Sequence, residues 1–179
     1  KIILKIIIPS YYIMTDCEED DYGLNVCWDL WYHSIEDNNW SNGSYKFLYK
    51  IRNLYDIKFL KDNIQQNYLQ NGMFFIMRED IFPTWEDPDN REGCSVSFKI
   101  PASKLHGEWN NFIERVLTEE ILKDKSRVDE INGISISPKR EFNILKLWLR
   151  NNVEDYTDFV KEYPAYIVKE KSITKKHIV

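Results

Sequence analysis

Two kinds of hydrophobic spacing alternate along the chain and predict its secondary structure. Alternation of apolar and polar positions, as from Tyr45 to Ile51, is typical of half-buried strands. Apolar stripes at helical spacing run through residues 57–69, 105–122 and 153–163 and predict three helices. We predict about eight strands, at residues 24–32, 45–51, 73–77, 96–100, 131–137, 142–149, 166–168 and 173–179.

Strands joined mainly by turns favour an α+β domain, with a mostly antiparallel β-sheet and the helices on one face. An acidic run at residues 16–21 separates a short apolar segment from the rest. We therefore expect an N-terminal extension with an acidic linker at residues 1–21 and one domain at residues 22–179. The apolar segment is interrupted by Lys5 and is interpreted as a strand, not a signal peptide.

The formal net charge of −5 makes binding to an extended nucleic-acid duplex a poor hypothesis, because such binding needs a basic surface. A small anionic ligand held by two or three local cations remains open. Frequent Ile, Lys, Asn, Asp and Tyr indicate an AT-rich genome, such as that of a virus or parasite.

The segment 84–90, Thr-Trp-Glu-Asp-Pro-Asp-Asn, carries the most informative chemistry. It follows an apolar run at 73–77, and Pro83 and Pro88 indicate a loop. Trp85 offers a flat aromatic face there, and the Glu86 carboxylate can accept two parallel hydrogen bonds. A purine with two N–H donors on one edge, namely guanine, fits this pair.

A second loop tryptophan, Trp40, lies in a polar segment at residues 37–43. Two exposed indoles on separate loops could hold a planar ring between them, and a cationic ring would add a cation–π contribution on each face. The alternative for Trp40 is an aromatic side chain that folds back over the core. Trp28, Trp31 and Trp109 lie on strand or helix stripes and are predicted to be core residues.

Catalytic signatures are missing from the sequence. There is no Gly-rich phosphate loop, no G-x-S-x-G and no H-E-x-x-H, and His33, His106 and His177 are dispersed without a metal-ligand pattern. We therefore expect a binding protein rather than an enzyme, with no cofactor and no metal.

Three segments together resemble the eukaryotic translation initiation factor 4E family, which binds the 7-methylguanosine cap of messenger RNA. Residues 85–90 resemble its W-E-D-x-x-N signature, with Gly93 following, and residues 28–32 resemble its W-x-L-W-aromatic strand. Residues 133–148 resemble its glycine-strand-turn-strand-tryptophan segment without a gap. The resemblance covers residues 22–179. It implies a curved sheet with the helices on its convex face, and a divergent member of the family.

The resemblance also assigns roles in the binding of the cap base. Trp40 and Trp85 would stack on the two faces of 7-methylguanine, and Glu86 would accept hydrogen bonds from N1–H and the exocyclic amine. The Trp85 backbone N–H would face the base carbonyl, and Trp148 would contact the N7-methyl group. Methylation makes the base cationic, which strengthens both the stacking and the pairing with Glu86.

The phosphate contacts depart from the family pattern. Lys139 stands at the position of the family's arginine and Ile144 at that of its lysine. Lys146 shares a strand face with Trp148, because residues two apart point the same way. The expected phosphate ligands are Lys139, Arg140 and Lys146, with Lys175 and Lys176 as further candidates.

The protein-binding surface departs from the family pattern as well. The family binds the scaffold factor 4G and 4E-binding proteins on its dorsal face, and the corresponding residues here are Tyr22, Leu24, Lys58 and Phe59, without the usual helix tryptophan. Either the partner has changed or scaffold binding is lost. The resemblance implies a monomeric cytoplasmic protein that binds capped mRNA and acts in translation initiation or its control.

Two alternatives to cap binding stay open. The first is a protein-interaction module that kept the fold and lost its affinity for the cap, although the presence of Trp40, Trp85, Glu86 and Trp148 together argues against it. The second is a cap-processing hydrolase or transferase, which would need a metal site or cofactor loop.

Overall fold

The computed structural model describes residues 22–178. The predicted extension and acidic linker at residues 1–21 lie outside this range, so the predicted division into two regions stays a prediction. None of the helices between residues 22 and 178 is long and apolar enough to cross a membrane.

The fold is an open, curved antiparallel sheet of seven strands with three α-helices packed on one face, which confirms the predicted fold class. The spatial order of the strands is β2-β1-β3-β5-β6-β4-β7. The strands are β1 (Gly23–Ser34), β2 (Lys46–Asn53), β3 (Gly72–Arg78), β4 (Cys94–Pro101), β5 (Ile131–Pro138), β6 (Phe142–Leu149) and β7 (Ser172–Lys176). The α-helices are α1 (Leu54–Asn63), α2 (Gln66–Asn71) and α3 (Leu105–Leu117). Short 3₁₀ turns lie at Asn42–Ser44, Ala102–Lys104, Lys125–Glu130, Tyr156–Asp158 and Lys169–Lys171.

Each helix begins or ends where local chemistry requires it. The Asn53 side chain accepts a hydrogen bond from the Asp56 N–H (3.0 Å) and caps the N-terminus of α1. The predicted helix at 57–69 is divided in two because Ile64 is extended, with ψ of 90°. Helix α3 ends before Glu119, whose φ of 63° lies in the left-handed region and cannot continue a helix.

The C-terminal third differs from the prediction. Residues 153–163 form no α-helix, and only the 3₁₀ turn at Tyr156–Asp158 is helical. The side chains of Tyr156, Phe159 and Val160 are nonetheless buried, so the apolar spacing reflected burial and not a helix. Residues 166–168 form no strand and contribute an isolated bridge between Tyr163 and Ile167. The described chain therefore has seven strands rather than about eight.

Side-chain alternation divides the sheet into two faces with different contents. Toward the helices, the strands present a large apolar core that includes Leu30, Ile76, Ile134 and Leu147. We call this the helix face. The opposite face, which we call the pocket face, carries a second and smaller cluster of buried residues: Phe75, Met77, Ile81 and Trp148. A strand residue thus belongs either to the main core or to the pocket face.

The predicted core tryptophans divide between these faces. Trp28 and Trp109 are buried in the main core, as predicted. Trp31 instead lies on the pocket face, partly buried, with its ring edge-on to Phe47 and Phe82 at centroid distances of 5.4 and 5.1 Å. Trp31 therefore packs against the smaller core cluster and not in the main core, because an odd number of strand positions separates it from Trp28.

Gly93 stands where two chain segments approach too closely for a side chain. A Cβ atom at this position would lie 1.9 Å from the backbone oxygen of Leu149. The Gly93 N–H donates to the Asn90 oxygen, and the Gly93 oxygen accepts from the His177 N–H (2.9 and 3.0 Å). The glycine of the sequence motif therefore has a packing role at the end of the Trp85 loop.

We expect the substitution Gly93→Ala to reduce the free energy of unfolding by about 1–3 kcal/mol, because backbone must move to admit the methyl group. Urea denaturation followed by circular dichroism measures this change. The matched control is Gly107→Ala in α3, where nothing lies within 4 Å of the added Cβ. The control should raise stability by about 0.5–1 kcal/mol, since alanine has a higher helix propensity than glycine. Similar effects of the two substitutions would contradict the close-packing argument.

Candidate functional site

The pocket face contains a concave site of about 400 Å³. It lies over strands β3, β5 and β6 and is bordered by the two loops that carry Trp40 and Trp85. We call it the Trp40–Trp85 pocket. Its lining residues are Trp40, Tyr45, Met73, Phe75, Pro83, Thr84, Trp85, Glu86, Ser135, Ser137, Lys139, Lys146 and Trp148.

The loop that carries Trp85 is held by side chains of its own. The Asp87 carboxylate accepts hydrogen bonds from the N–H groups of Phe82 (3.0 Å) and Asp89 (2.9 Å). The buried Asn90 amide donates to the carbonyl oxygens of Phe82 and Thr84, each at 2.9 Å. These bonds fix the loop backbone on both sides of Trp85 without using the Trp85 or Glu86 side chain.

Asn132 ties this loop to the sheet. From strand β5 its buried amide donates to the Asp89 carbonyl oxygen (2.7 Å) and to Asn90 Oδ1 (3.0 Å). Asn90 is therefore a hydrogen-bond donor to the loop and an acceptor from the sheet. The aspartate and asparagine of the W-E-D-x-x-N pattern thus shape the loop that presents the other two residues.

The loop that carries Trp40 is built on His33. The His33 side chain is buried, and its Nε2 lies 2.9 Å from the Asn39 carbonyl oxygen. The imidazole and the Trp40 indole are parallel, with centroids 4.2 Å apart. Trp40 stays 54% exposed. The indole therefore has one supported face and a large accessible surface, so the alternative in which it folds back over the core is not what the structure contains.

Trp85 is bordered by a histidine and two lysines. The buried His177 ring lies nearly parallel to the Trp85 indole, at a centroid distance of 5.7 Å and an interplanar angle of 11°. Nζ of Lys175 is 5.2 Å and Nζ of Lys146 is 5.8 Å from the centroid of the indole. The positions of Lys175 and His177 show that the segment at β7 completes this side of the pocket.

Trp148 forms part of the buried wall. It is only 3% exposed, and its indole N–H donates to Ser135 Oγ at 2.9 Å. The ring packs edge-on against Phe75, with centroids 6.4 Å apart. The hydrogen bond orients the indole, so the ring can offer the pocket only an apolar surface.

The charges around the pocket favour an anion on one side. Burial lowers the pKa of Lys146, and the nearby Lys139 and Lys175 lower it further. None of these three lysines forms an ion pair with a carboxylate in the part of the chain that the structure describes. Glu86 supplies a carboxylate that lines the same pocket. Burial and then the charge of Glu86 raise the pKa of Tyr45 to about 12, so its hydroxyl stays protonated.

Residues 22–178 present no arrangement of side chains that would support metal chemistry. No group of three or more His, Cys, Asp or Glu side chains there is positioned to hold a metal ion. The described site is a binding surface of indole rings, one carboxylate and several ammonium groups.

Comparison with known proteins places this architecture in a family. The family model described as eukaryotic initiation factor 4E matches residues 23–173. The chain belongs to the eukaryotic initiation factor 4E family. This is a family of translation initiation factors and not of enzymes, as the sequence predicted.

Individual relatives include a viral protein. The eukaryotic translation initiation factor 4E homolog of Acanthamoeba polyphaga mimivirus is 36% identical over 90 residues, which cover 50% of this chain and 33% of that relative. The chain thus matches about a third of the length of the mimivirus protein. Eukaryotic translation initiation factor 4E of Eremothecium gossypii is 28% identical over 148 residues, covering 78% of this chain and 68% of that protein.

Solved structures confirm the fold. C. elegans eIF4E-3 in complex with the 4E-binding protein Mextli and a cap analog has a TM-score of 0.65 at 21% identity, and the match covers 73% of this chain and 75% of that one. Schistosome eIF4E complexed with m7GpppG and 4E-BP has a TM-score of 0.68 at 17% identity and covers 78% of each chain.

Within this family fold, most of the predicted site residues meet in one place. Trp40, Trp85, Glu86, Trp148, Lys139 and Lys146 all line the Trp40–Trp85 pocket. Arg140 does not, because it lies beyond Lys139 in the turn between β5 and β6 and lines a different depression. Lys175 borders Trp85, whereas Lys176 is not among the lining residues.

Several residues that line the pocket or support its tryptophans were missed in the sequence. His33 and His177 were considered only as metal ligands, and neither is one here. Strand alternation could have placed His33 beside Trp31, two residues away on the same face. Tyr45 was predicted only as a strand residue, and it packs against the His33 ring at 4.9 Å. Nothing in the local pattern connects His177 with Trp85, since that contact depends on how distant strands pair.

The four predicted partner-binding residues are only partly brought together. Tyr22 is 48% exposed and its ring lies edge-on to Tyr55 at 5.1 Å, while the Tyr22 oxygen accepts from the N–H of Leu54 (3.0 Å). Leu24 and Phe59 pack partly against the main core. Lys58 is exposed and pairs with Asp62 at 2.7 Å. Leu54 and Tyr55, which were not predicted, are exposed apolar residues that contact Tyr22.

We expect Asn90→Ala to reduce the free energy of unfolding by about 1–3 kcal/mol, because the part-buried carbonyl groups of Phe82 and Thr84 lose the donor that the buried Asn90 supplies. Amide hydrogen exchange in residues 82–90 should also become faster. Urea denaturation and exchange measured by mass spectrometry test the two effects. Asn71→Ala is the control, since Asn71 makes an exposed bond to the Asn67 oxygen on α2. Equal effects of the two substitutions would contradict a special role for Asn90.

The pH dependence of stability should report on His177. Burial lowers its pKa, and Lys146 lowers it further, although a bond between its Nδ1 and the Asn90 oxygen acts in the opposite direction. In the unfolded chain the ring takes up a proton near its ordinary pKa of about 6.5. As the pH falls through that value, the unfolded state binds more protons, and the folded state loses stability.

We therefore expect His177→Phe to show a smaller difference in the free energy of unfolding between pH 7.5 and pH 5.5 than the unsubstituted protein. His106→Ala serves as the control, because His106 lies on α3, away from the pocket, where it contacts Asn110. The free energy of unfolding is measured by urea denaturation at both pH values for each variant. If the free energy of unfolding changes as much between the two pH values in His177→Phe as in the control, His177 does not contribute to the pH dependence of stability.

Proposed function

We propose that this chain binds the 7-methylguanosine 5′ cap of messenger RNA and acts in translation initiation or its control. The observation that carries the proposal is the convergence of two indoles from separate loops, a carboxylate and lysine side chains on one pocket. Relatives in the same family support it, since structures of Ascaris suum eIF4E-3 contain m7G and m2,2,7G caps.

The two loop tryptophans supply the stacking surfaces. Trp40 is supported from behind by His33, and Trp85 lies beside His177, so each indole is held against a second ring. A 7-methylguanine ring carries a delocalised positive charge, which the faces of indole rings attract. In the proposed complex Trp40 and Trp85 lie on either side of the base, and the stacking favours the methylated base over guanine.

Glu86 reads the edge of the base. Its carboxylate can accept from both the N1–H and the exocyclic amine, and the positive charge on the base makes these bonds charge-assisted. The Trp85 backbone N–H has no hydrogen-bond partner among residues 22–178, so it is available for the base carbonyl. Trp148, oriented by Ser135, would meet the N7-methyl group with an apolar surface.

The phosphates would lie on the lysine side of the pocket. Lys139 and Lys146 line it, and Lys175 stands beside Trp85. Burial lowers the pKa of Lys146, and repulsion by the charges of Lys139 and Lys175 lowers it further. A triphosphate relieves that repulsion when it binds. Lysines are point charges without the bidentate geometry of arginine, so we expect strong charge attraction with loose orientation of the phosphates.

The proposal extends to protein partners and location. Related proteins are known in complexes with 4E-binding proteins. In this chain the candidate docking surface comprises Tyr22, Leu24, Lys58 and Phe59, together with the exposed Leu54 and Tyr55 beside Tyr22. A scaffold factor 4G or a 4E-binding-protein-like partner would dock there on a monomer. Translation of capped messages would place the protein in the cytoplasm.

Isothermal titration calorimetry with 7-methyl-GTP and GTP tests the function directly. We expect the methylated nucleotide to bind at least tenfold more tightly, which corresponds to about 1.4 kcal/mol. Glu86→Gln should weaken binding of 7-methyl-GTP by about 10- to 100-fold, because hydrogen bonds to a charged group contribute about 1.5–3 kcal/mol. Glu92→Gln is the control, since Glu92 is an exposed carboxylate near the same loop and does not line the pocket.

Equal binding of the two nucleotides, or none, would overturn the cap-binding proposal and favour a family member that uses the fold for protein contacts alone. Loss of binding in both glutamate variants would indicate an effect of overall charge and not of recognition by Glu86.

A further inference from the structure

A second depression, of about 530 Å³, lies at the turn between strands β5 and β6. We call it the Arg140 depression. Ile35, Gln70, Pro138, Lys139, Arg140 and Asn143 are among its lining residues. Strand alternation separates the depression from the Trp40–Trp85 pocket. Ser137 lines the pocket, whereas Pro138, the next residue, lines the depression.

Lys139 joins the two cavities, because it lines both of them. It stands at the start of the tight turn that its own N–H closes by donating to the Phe142 oxygen (2.8 Å). A ligand whose phosphates lie against Lys139 in the pocket therefore has a continuous route over this turn. That route leads to Arg140.

The chemistry of the depression suits a nucleotide. Its charged lining residues are Lys139 and Arg140, and no carboxylate lines it. Both side chains are exposed, and neither forms an ion pair within residues 22–178. Glu141, the next residue, lines a different cavity beside Lys99 and Lys171. An anion at Arg140 thus meets two cations in a protein whose net charge is −5.

Asn143 adds a polar group that lacks a partner. Its side chain is 2% exposed, and its Oδ1 is buried without a hydrogen bond in the described chain. An unsatisfied buried acceptor is costly, and a donor on a ligand would satisfy it. A sugar hydroxyl or a base N–H is such a donor, and Ile35 and Pro138 offer apolar surface for the rest of the nucleotide.

We propose that the Arg140 depression binds the first transcribed nucleotides of the RNA, after the cap. Arg140 contacts a phosphate of the RNA chain, and Asn143 hydrogen-bonds to the nucleotide that follows the triphosphate. The inference rests on the proposed function, because the cap in the Trp40–Trp85 pocket delivers the RNA to Lys139. It assigns to Arg140 a phosphate that is absent from 7-methyl-GTP.

The test compares 7-methyl-GTP with a 7-methylguanosine-capped tetranucleotide by calorimetry at several salt concentrations. The unsubstituted protein should bind the capped tetranucleotide at least threefold more tightly. The slope of log affinity against log salt should be steeper for the tetranucleotide by about 0.7 for each added phosphate contact. In Arg140→Ala the threefold gain and the added slope should disappear, while the affinity for 7-methyl-GTP stays unchanged.

Two variants serve as controls. Lys125→Ala removes one exposed positive charge from a 3₁₀ turn that lines neither cavity, so it should keep the gain. Arg140→Lys keeps the charge and should keep most of the gain. If the tetranucleotide binds no more tightly than 7-methyl-GTP, or if Lys125→Ala loses as much as Arg140→Ala, the inference is wrong while the proposed function stands. Failure of 7-methyl-GTP to bind at all would instead overturn the proposed function.

Discussion

The two-residue repeat of the β-strand is the constraint on which the whole structure depends. It assigns Leu145, Leu147 and Leu149 to the helix face and leaves Lys146 and Trp148 on the pocket face of the same strand. The main core and the candidate site are therefore built from the same strands, one residue apart. A shift of one residue in the pairing of β6 would bury Lys146 in the core and expose the leucines, so the pressure to bury apolar surface also keeps the site in register.

Local patterns were sufficient to predict those parts of the molecule that depend on local geometry. Alternation located strands β2, β4 and β6, and the stripe that contains Trp109 and Phe112 located α3. The same reasoning failed at residues 153–163, where Tyr156, Phe159 and Val160 are buried without forming an α-helix and Val160 forms an isolated bridge with the distant Leu122. Apolar spacing reports burial, and it reports a helix only when the backbone bonds are local.

In the candidate site, too, some residues could be predicted from the sequence and others depend on the folded arrangement. Residue chemistry singled out Trp40, Trp85 and Glu86, the resemblance to the family added Trp148, and all four line one pocket. Neither identified His33 and His177, since their ring contacts with Trp40 and Trp85 arise from the folded arrangement of loops and strand ends. Arg140 was expected among the phosphate ligands, and the turn between β5 and β6 directs it to another cavity.

The hydrogen bonds of Asn90 constrain the order in which the parts of the molecule can fold. Its side chain holds the loop at residues 82–84, accepts from Asn132, and its carbonyl oxygen lies 2.6 Å from the His177 ring. Segments separated by more than 80 residues thus meet at one asparagine. On a ribosome, the early strands can pair and the helices can pack as soon as they emerge. The wall beside Trp85 cannot close until residue 177 has left the exit tunnel, so this side of the ligand site is among the last parts of the described chain to form.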